Sequence, residues 1–94
     1  MTTRVKIPTQ LRPLAADQAE MQVDGAATVR DLIDNLRESH PDLVERIVGD
    51  DGQLRRFVNL YLGDEDVRFL DGLETKLEEG SVLTILPAVA GGRS

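Results

Sequence analysis

The sequence predicts an α+β domain in which a mixed sheet of four or five strands packs against one main helix. Short segments that alternate polar and apolar residues predict the strands, and one segment with apolar residues at i, i+3, i+4 and i+7 predicts the helix. The chain has 94 residues, of which 40% are hydrophobic and 30% charged, as in one folded domain. We expect this domain to cover residues 1–87 and a flexible tail to cover residues 88–94.

The N-terminal part predicts a hairpin of two strands. Residues 3–7 alternate, with Val5 and Ile7 on the inward face, and residues 18–23 alternate again. Residues 8–17 contain two prolines and predict a long loop between the two strands.

The main helix is predicted to begin after Thr28, a residue type that caps helix N-termini, with Asp31 three positions later as in a weak capping box. Its inward stripe consists of Val29, Leu32, Ile33 and Leu36. Pro41 either ends this helix or restarts it, and residues 42–48 predict a short second helical turn.

The C-terminal part predicts the remaining strands. Residues 57–62 form the clearest strand, and residues 66–69 predict a short strand after a tight turn. Leu73 and Leu77 are expected to anchor a helical turn, and a last strand begins at Ser81. We expect the first and last strands to be parallel neighbours in the centre of the sheet, which is the β-grasp arrangement.

Charge and residue usage exclude several classes of function. The net charge of −6 argues against nucleic-acid binding, which needs a basic face, and fits a basic docking surface on a protein partner. The absence of cysteine excludes disulfides, thiolate metal sites and cysteine nucleophiles. With no apolar run of membrane-spanning length and no signal-peptide pattern, we expect no membrane association and a cytoplasmic location.

The final residues form an unusual tail. After Pro87 come Ala88, Val89, Ala90, Gly91 and Gly92, and then Arg93 and Ser94. Small side chains keep such a tail thin enough to enter a narrow channel, and glycine allows another backbone to approach closely. A frayed terminus with two glycines by chance is the alternative that the tail alone leaves open.

Residues 80–82 and 85–92 resemble the ubiquitin-like sulfur-carrier family, which includes the small subunit of molybdopterin synthase and the thiamine-pathway carrier. Residues 56–69 and 7–13 resemble in particular the branch that serves actinobacterial cysteine synthesis. The resemblance spans nearly the whole chain and implies a ubiquitin-like β-grasp fold.

The resemblance also implies a mechanism in which an adenylating sulfurtransferase uses ATP and Mg²⁺ to activate the Gly92 carboxylate, which becomes a thiocarboxylate. Gly91, Ala90, Val89 and Ala88 would occupy the partner's channel. The carrier would be no enzyme, have no cofactor or metal of its own, and pass sulfur to a synthase such as a PLP-dependent cysteine synthase.

Arg93 and Ser94 depart from the family pattern, because Gly92 is an internal amide while they remain. They are either native, so that a protease cuts between Gly92 and Arg93, or a cloning remnant. The resemblance suggests a zinc metalloprotease as one candidate for the protease.

A docking surface is expected on the strand face opposite the core, where ordinary sheet surface is the competing interpretation. Its candidate residues are Phe57, Tyr61, Phe69, Thr84 and Leu86, with Phe69 assigned to either the docking surface or the core. The acidic residues 64–66 predict a hairpin turn in preference to a metal site. Arg55 and Arg56 are expected to pair locally with acidic residues.

The sequence leaves three functions open. A sulfur carrier would serve cysteine synthesis or share its sulfur with molybdopterin, thiamine or secondary-metabolite pathways. A ubiquitin-like protein modifier would use the same activated tail to form an amide with a lysine. An interaction module with an inert tail would be unaffected by loss of Gly91 and Gly92.

Overall fold

A computed structural model describes residues 2–56 and 58–87. Within these ranges five strands form one sheet: β1 (Thr2–Lys6), β2 (Glu20–Asp24), β3 (Val58–Leu62), β4 (Glu65–Asp66) and β5 (Val82–Pro87). Two helices, α1 (Val29–Ser39) and α2 (Pro41–Ile47), lie between β2 and β3 in the sequence. The mixed sheet and the helices confirm the predicted fold class, with five strands and a second, shorter helix.

The strand order is β2-β1-β5-β3-β4. β1 and β2 form an antiparallel hairpin, and β3 pairs antiparallel with both β5 and β4. β1 and β5, the first and last strands, are parallel neighbours. Both the predicted hairpin and the predicted central pairing are therefore confirmed.

The core lies between one face of the sheet and α1. Alternate residues of the strands are buried, as in Val5, Leu60 and Leu83, each at most 1% exposed. The four residues of the predicted helical stripe are buried as well. We call the opposite face of the sheet, which is turned away from α1, the outer face.

The start of α1 follows from its capping residues. The Thr28 side-chain oxygen accepts a hydrogen bond from the Asp31 N–H at 3.2 Å, and the Asp31 carboxylate accepts one from the Ala27 N–H at 3.2 Å. Side chains thus satisfy the Asp31 amide, which has no intrahelical partner, and the Ala27 amide just before the helix. The predicted cap at Thr28 is confirmed.

Pro41 restarts the helix. It occupies the beginning of α2, where a missing N–H costs nothing because the first helical amides have no intrahelical acceptor. α2 buries Leu43, Val44 and Ile47. The predicted second turn is therefore a helix with its own share of the core.

Two predictions of local structure were wrong. Residues 8–17 are not simply a loop, because Thr9–Ala15 form a 3₁₀ helix that buries Leu11 and Ala15. Burial of these two side chains overrides the loop propensity of the prolines, which is a weaker, local effect.

The predicted strand at residues 66–69 ends at Asp66. There the Asp66 carboxylate accepts a hydrogen bond from the Arg68 N–H at 2.8 Å and starts a 3₁₀ turn over Val67–Phe69. The chain turns inward at this point, so that Val67 is fully buried.

Leu73 and Leu77 are both buried, as the predicted anchors of a helical turn should be. The turn itself is the short 3₁₀ segment Gly72–Glu74, which contains Leu73 but ends before Leu77. In the described part of the chain, no helix has the length and apolar character needed to cross a membrane.

Candidate functional site

The tail follows β5 in the sequence, and β5 is the middle strand of the sheet. β5 pairs with β1 at Val82–Thr84 and with β3 along residues 83–87. The strand that carries the tail is therefore held on both sides for its first half and by β3 for its second half. Outside the described residues lie the predicted adenylation site, tail-binding and processing residues: Ala88, Val89, Ala90, Gly91, Gly92 and Arg93. Their roles stay predictions.

The register of β3 and β5 shows which residue pair makes the last main-chain hydrogen bonds before the tail. The Gly63 N–H donates to the Val82 carbonyl at 3.0 Å, and hydrogen-bonded pairs alternate along an antiparallel ladder. Asn59 and Leu86, which are register partners, are consequently the last described pair that exchanges main-chain hydrogen bonds. The next residue, Pro87, has no N–H. In this register its position donates no hydrogen bond to β3, so the proline costs the ladder nothing.

Three of the predicted docking residues come together on the outer face. Tyr61 and Thr84 are register partners on β3 and β5, and both are half-buried. Leu86 lies two residues beyond Thr84 on the same face and is 43% exposed. Neighbours in this arrangement contact one another across the strands, so they form a continuous patch. Phe57 lies outside the described residues.

Phe69 lies outside the core. It is 85% exposed on the 3₁₀ turn that follows β4, and Leu70 beside it is 38% exposed. The turn begins next to Asp66, the register partner of Tyr61. Sequence reasoning missed Leu70, because an isolated apolar residue in a turn carries no periodic signal.

The two halves of the outer face carry different kinds of side chain. Its β1 and β2 half carries Arg4, Lys6 and Glu20, with the Arg4 guanidinium 3.6 Å from the Glu20 carboxylate. Since this ion pair is exposed, it contributes little to folding stability. The β3 and β5 half carries the patch of Tyr61, Thr84 and Leu86 and includes β5, the strand that precedes the tail in the sequence.

Arg68 is a second residue that sequence reasoning missed. Its guanidinium donates hydrogen bonds to the Asn59 side-chain oxygen at 2.7 Å and to the main-chain carbonyls of Val58 at 2.7 Å and Arg55 at 2.8 Å. All three acceptors lie at the beginning of β3 or just before it. Nothing in the sequence pattern indicates this, because the contacts depend on how the turn after β4 folds back.

The acidic residues 64–66 lie in the hairpin turn that the sequence predicted, with Glu65 and Asp66 paired to β3 as β4. The Asp66 carboxylate is used as a cap for the following turn. Across the described ranges, no group of three or more potential ligand side chains is placed to hold a metal ion. Arg55 does bond locally, but to the main-chain carbonyl of Glu45 and not to a carboxylate.

Comparison with known proteins gives consistent results. The model of the ThiS family matches residues 5–92. The sulfur carrier protein CysO of Mycobacterium tuberculosis is 44% identical over 94 residues, with 98% of this chain and all of the relative covered.

Two solved structures have the same fold. A chain in the BexX/CysO complex of Amycolatopsis orientalis is 44% identical with a TM-score of 0.86, covering 96% of this chain and 99% of that one. SAMP1 of Haloferax volcanii is 31% identical with a TM-score of 0.81, covering 98% of this chain and 100% of that one.

Proposed function

We propose that this chain carries sulfur on the carboxyl terminus of Gly92. The chain belongs to the ThiS family and is a homologue of the sulfur carrier protein CysO. The single observation that carries this proposal is the extent of the family match, which runs through the domain and includes the diglycine as far as Gly92. An inert tail would give no reason for the match to continue beyond β5.

Activation is needed because a carboxylate is a poor electrophile. The Gly92 carboxylate attacks the α-phosphorus of ATP and releases pyrophosphate, giving an acyl-adenylate. Sulfide (HS⁻), supplied by a sulfur donor, then attacks the acyl carbon, AMP leaves, and loss of the sulfide proton gives the thiocarboxylate. ATP and Mg²⁺ belong to the activating enzyme, so this protein acts as a protein substrate and not as a catalyst.

The described residues support this role by presenting the tail. β5 is the central strand of the sheet and pairs with β3 as far as Pro87, so β3 holds the base of the tail on one side. Next to that base lies the patch formed by the half-buried Tyr61 and Thr84 and the exposed Leu86. An enzyme that binds this patch holds the tail near its own active site, so that docking and tail entry reinforce each other.

The names of two relatives support a proposal for the sulfur acceptor. CysO in M. tuberculosis is a sulfur carrier, and CysO in A. orientalis forms a complex with BexX. We assign this chain to the delivery of sulfur for cysteine synthesis, with a PLP-dependent synthase as the acceptor enzyme. Use of one carrier by several pathways requires only that each partner binds the same patch and tail.

Arg93 and Ser94 must be removed before activation. The family match ends at Gly92 and leaves both residues beyond it. We propose cleavage after Gly92 by a host protease, for which a zinc metalloprotease is the candidate.

The test is ATP–pyrophosphate exchange with the activating enzyme of the same host, using chains that end at Gly92 or at Ser94. We expect exchange only with the chain that ends at Gly92. In that chain Gly92→Ala should lower kcat/KM by about tenfold or more, because a methyl group displaces the carboxylate in a narrow channel. Equal exchange with the chain ending at Ser94 would refute the need for processing, and normal activation of Gly92→Ala would refute the close approach.

A protein modifier is the second candidate, favoured by the 31% identity to SAMP1 of H. volcanii, whose name describes a small archaeal modifier protein. Both functions share the acyl-adenylate and differ in the nucleophile that attacks it. Lysates of the host should contain the thiocarboxylate if the chain is a carrier, and lysine side chains joined to Gly92 if it is a modifier.

A further inference from the structure

We propose that Arg68 is a positioning residue for the carrier tail: its guanidinium takes the place of a missing edge strand beside β3 and thereby fixes the point at which the tail leaves the sheet. The inference rests on the proposed function for its consequence in activation. Its structural part stands on the hydrogen bonds of Arg68 and the register of β3 and β5.

β4 is too short to cover the whole of β3. β4 pairs only with Tyr61 and Leu62, at the end of β3. The alternation of the ladder directs the main-chain groups of Val58 away from β5, toward the side that β4 does not reach. There the Val58 carbonyl accepts a hydrogen bond from Arg68 at 2.7 Å.

The Arg68 side chain holds several acceptors at once. The guanidinium also bonds the Arg55 carbonyl at 2.8 Å and the Asn59 side-chain oxygen at 2.7 Å. The main chain of Arg68 is fixed in turn by the Asp66 carboxylate. Hydrogen bonds from a charged donor are stronger than neutral ones, and the planar fork of arginine holds several acceptors at fixed angles.

The hydrogen bonds of Arg68 bear on the tail through the pairing of β3 with β5. Asn59 is the register partner of Leu86, and Val58 is the register partner of Pro87. Arg68 therefore holds the part of β3 that supports the last two residues of β5. If this part of β3 frays, β5 frays with it, and a partner that binds the tail must order those two residues as well. Ordering a longer segment costs more conformational entropy.

The test compares Arg68→Gln and Arg68→Lys with the control Arg30→Gln in the chain ending at Gly92. Arg30 is also an exposed arginine with a short bond, from its Nε to the Glu74 carboxylate at 2.6 Å, but it lies on α1. Amide hydrogen exchange reports local opening of each residue. Thermal unfolding shows whether a variant has lost stability throughout the fold.

For both Arg68 variants we expect the Leu86 and Asn59 amides to exchange at least about tenfold faster, while amides of β1 change much less. A lysine does not rescue, because a single ammonium cannot hold three acceptors in a fork. In activation assays the KM for the carrier should rise about threefold to tenfold, with kcat within about twofold. The control should change neither quantity.

Unchanged exchange at Leu86, or an equal increase at every amide, would overturn the proposal. Faster exchange at Leu86 with an unchanged KM would also overturn it, since Arg68 would then support the sheet without positioning the tail. If the unaltered chain is not activated at all, the proposed function fails, and the exchange measurement still decides whether Arg68 holds β5 in place.

Discussion

Thr3 is a polar residue in an apolar position. It lies on the inward side of β1, is 1% exposed, and its hydroxyl has no hydrogen-bond partner in the described part of the protein. A buried hydroxyl without a partner reduces stability, because it has lost its bonds to water. Thr2, its neighbour, donates its hydroxyl to the Asp24 carboxylate at 2.7 Å near the surface.

We predict that Thr3→Val raises the free energy of unfolding by about 1 kcal/mol, because valine has the same shape and needs no partner. Thr2→Val is the matched control and should be neutral or slightly destabilising, since it removes a hydrogen bond that is made. Urea denaturation of both variants measures the difference. A destabilised Thr3→Val would mean that the hydroxyl has a partner.

Individual elements differ in how well their sequence determines them. The start of α1 was predictable, because Thr28, Asp31 and the apolar stripe act within one helix. The 3₁₀ helix at Thr9–Ala15 and the turn after Asp66 were not, since both depend on side chains finding the core or a cap in three dimensions. The contacts of Arg68 were missed for the same reason.

The cap at Thr28 gives a prediction for α1. Thr28→Ala should lower the free energy of unfolding by about 1 kcal/mol, because the Asp31 N–H loses its acceptor at the end of the helix. Thr9→Ala, at an exposed threonine that begins the 3₁₀ helix, serves as the control and should change stability much less. Equal losses for the two variants in urea denaturation would contradict the capping role.

β5 gives a prediction for docking. Leu86→Ser should raise the Kd for the activating enzyme by about tenfold, because Leu86 is an exposed apolar residue beside the base of the tail. Gln22→Ser changes an exposed residue of β2 on the charged half of the outer face and should leave the Kd unchanged. The Kd can be measured by calorimetry. If Gln22→Ser weakens binding as much as Leu86→Ser does, the assignment of the patch is wrong.

For the molecule as a whole, the sequence predicts the topology, and the family match supports the proposed function. The parallel pairing of β1 with β5 was predictable because both strands are short and apolar and a helix connects the two halves. Three of the five docking candidates, Tyr61, Thr84 and Leu86, lie on one patch because strand alternation places them on the outer face. The exact support of the tail was not predictable, because it depends on the turn after β4.

The fold brings together the base of the tail, an exposed patch and a side chain that holds the last strand pair. None of these features alone indicates sulfur transfer. Together with membership of the ThiS family, they support the proposal that the tail is delivered to another protein's active site.

A sulfur carrier must at some stage hold a thiocarboxylate at Gly92. Intact mass spectrometry of the protein isolated from its host under sulfur demand can detect this group. We predict a chain that ends at Gly92 with one oxygen replaced by sulfur, without Arg93 and Ser94. A protein that always ends at Ser94, with no shortened or sulfur-containing form, would contradict the sulfur-carrier function.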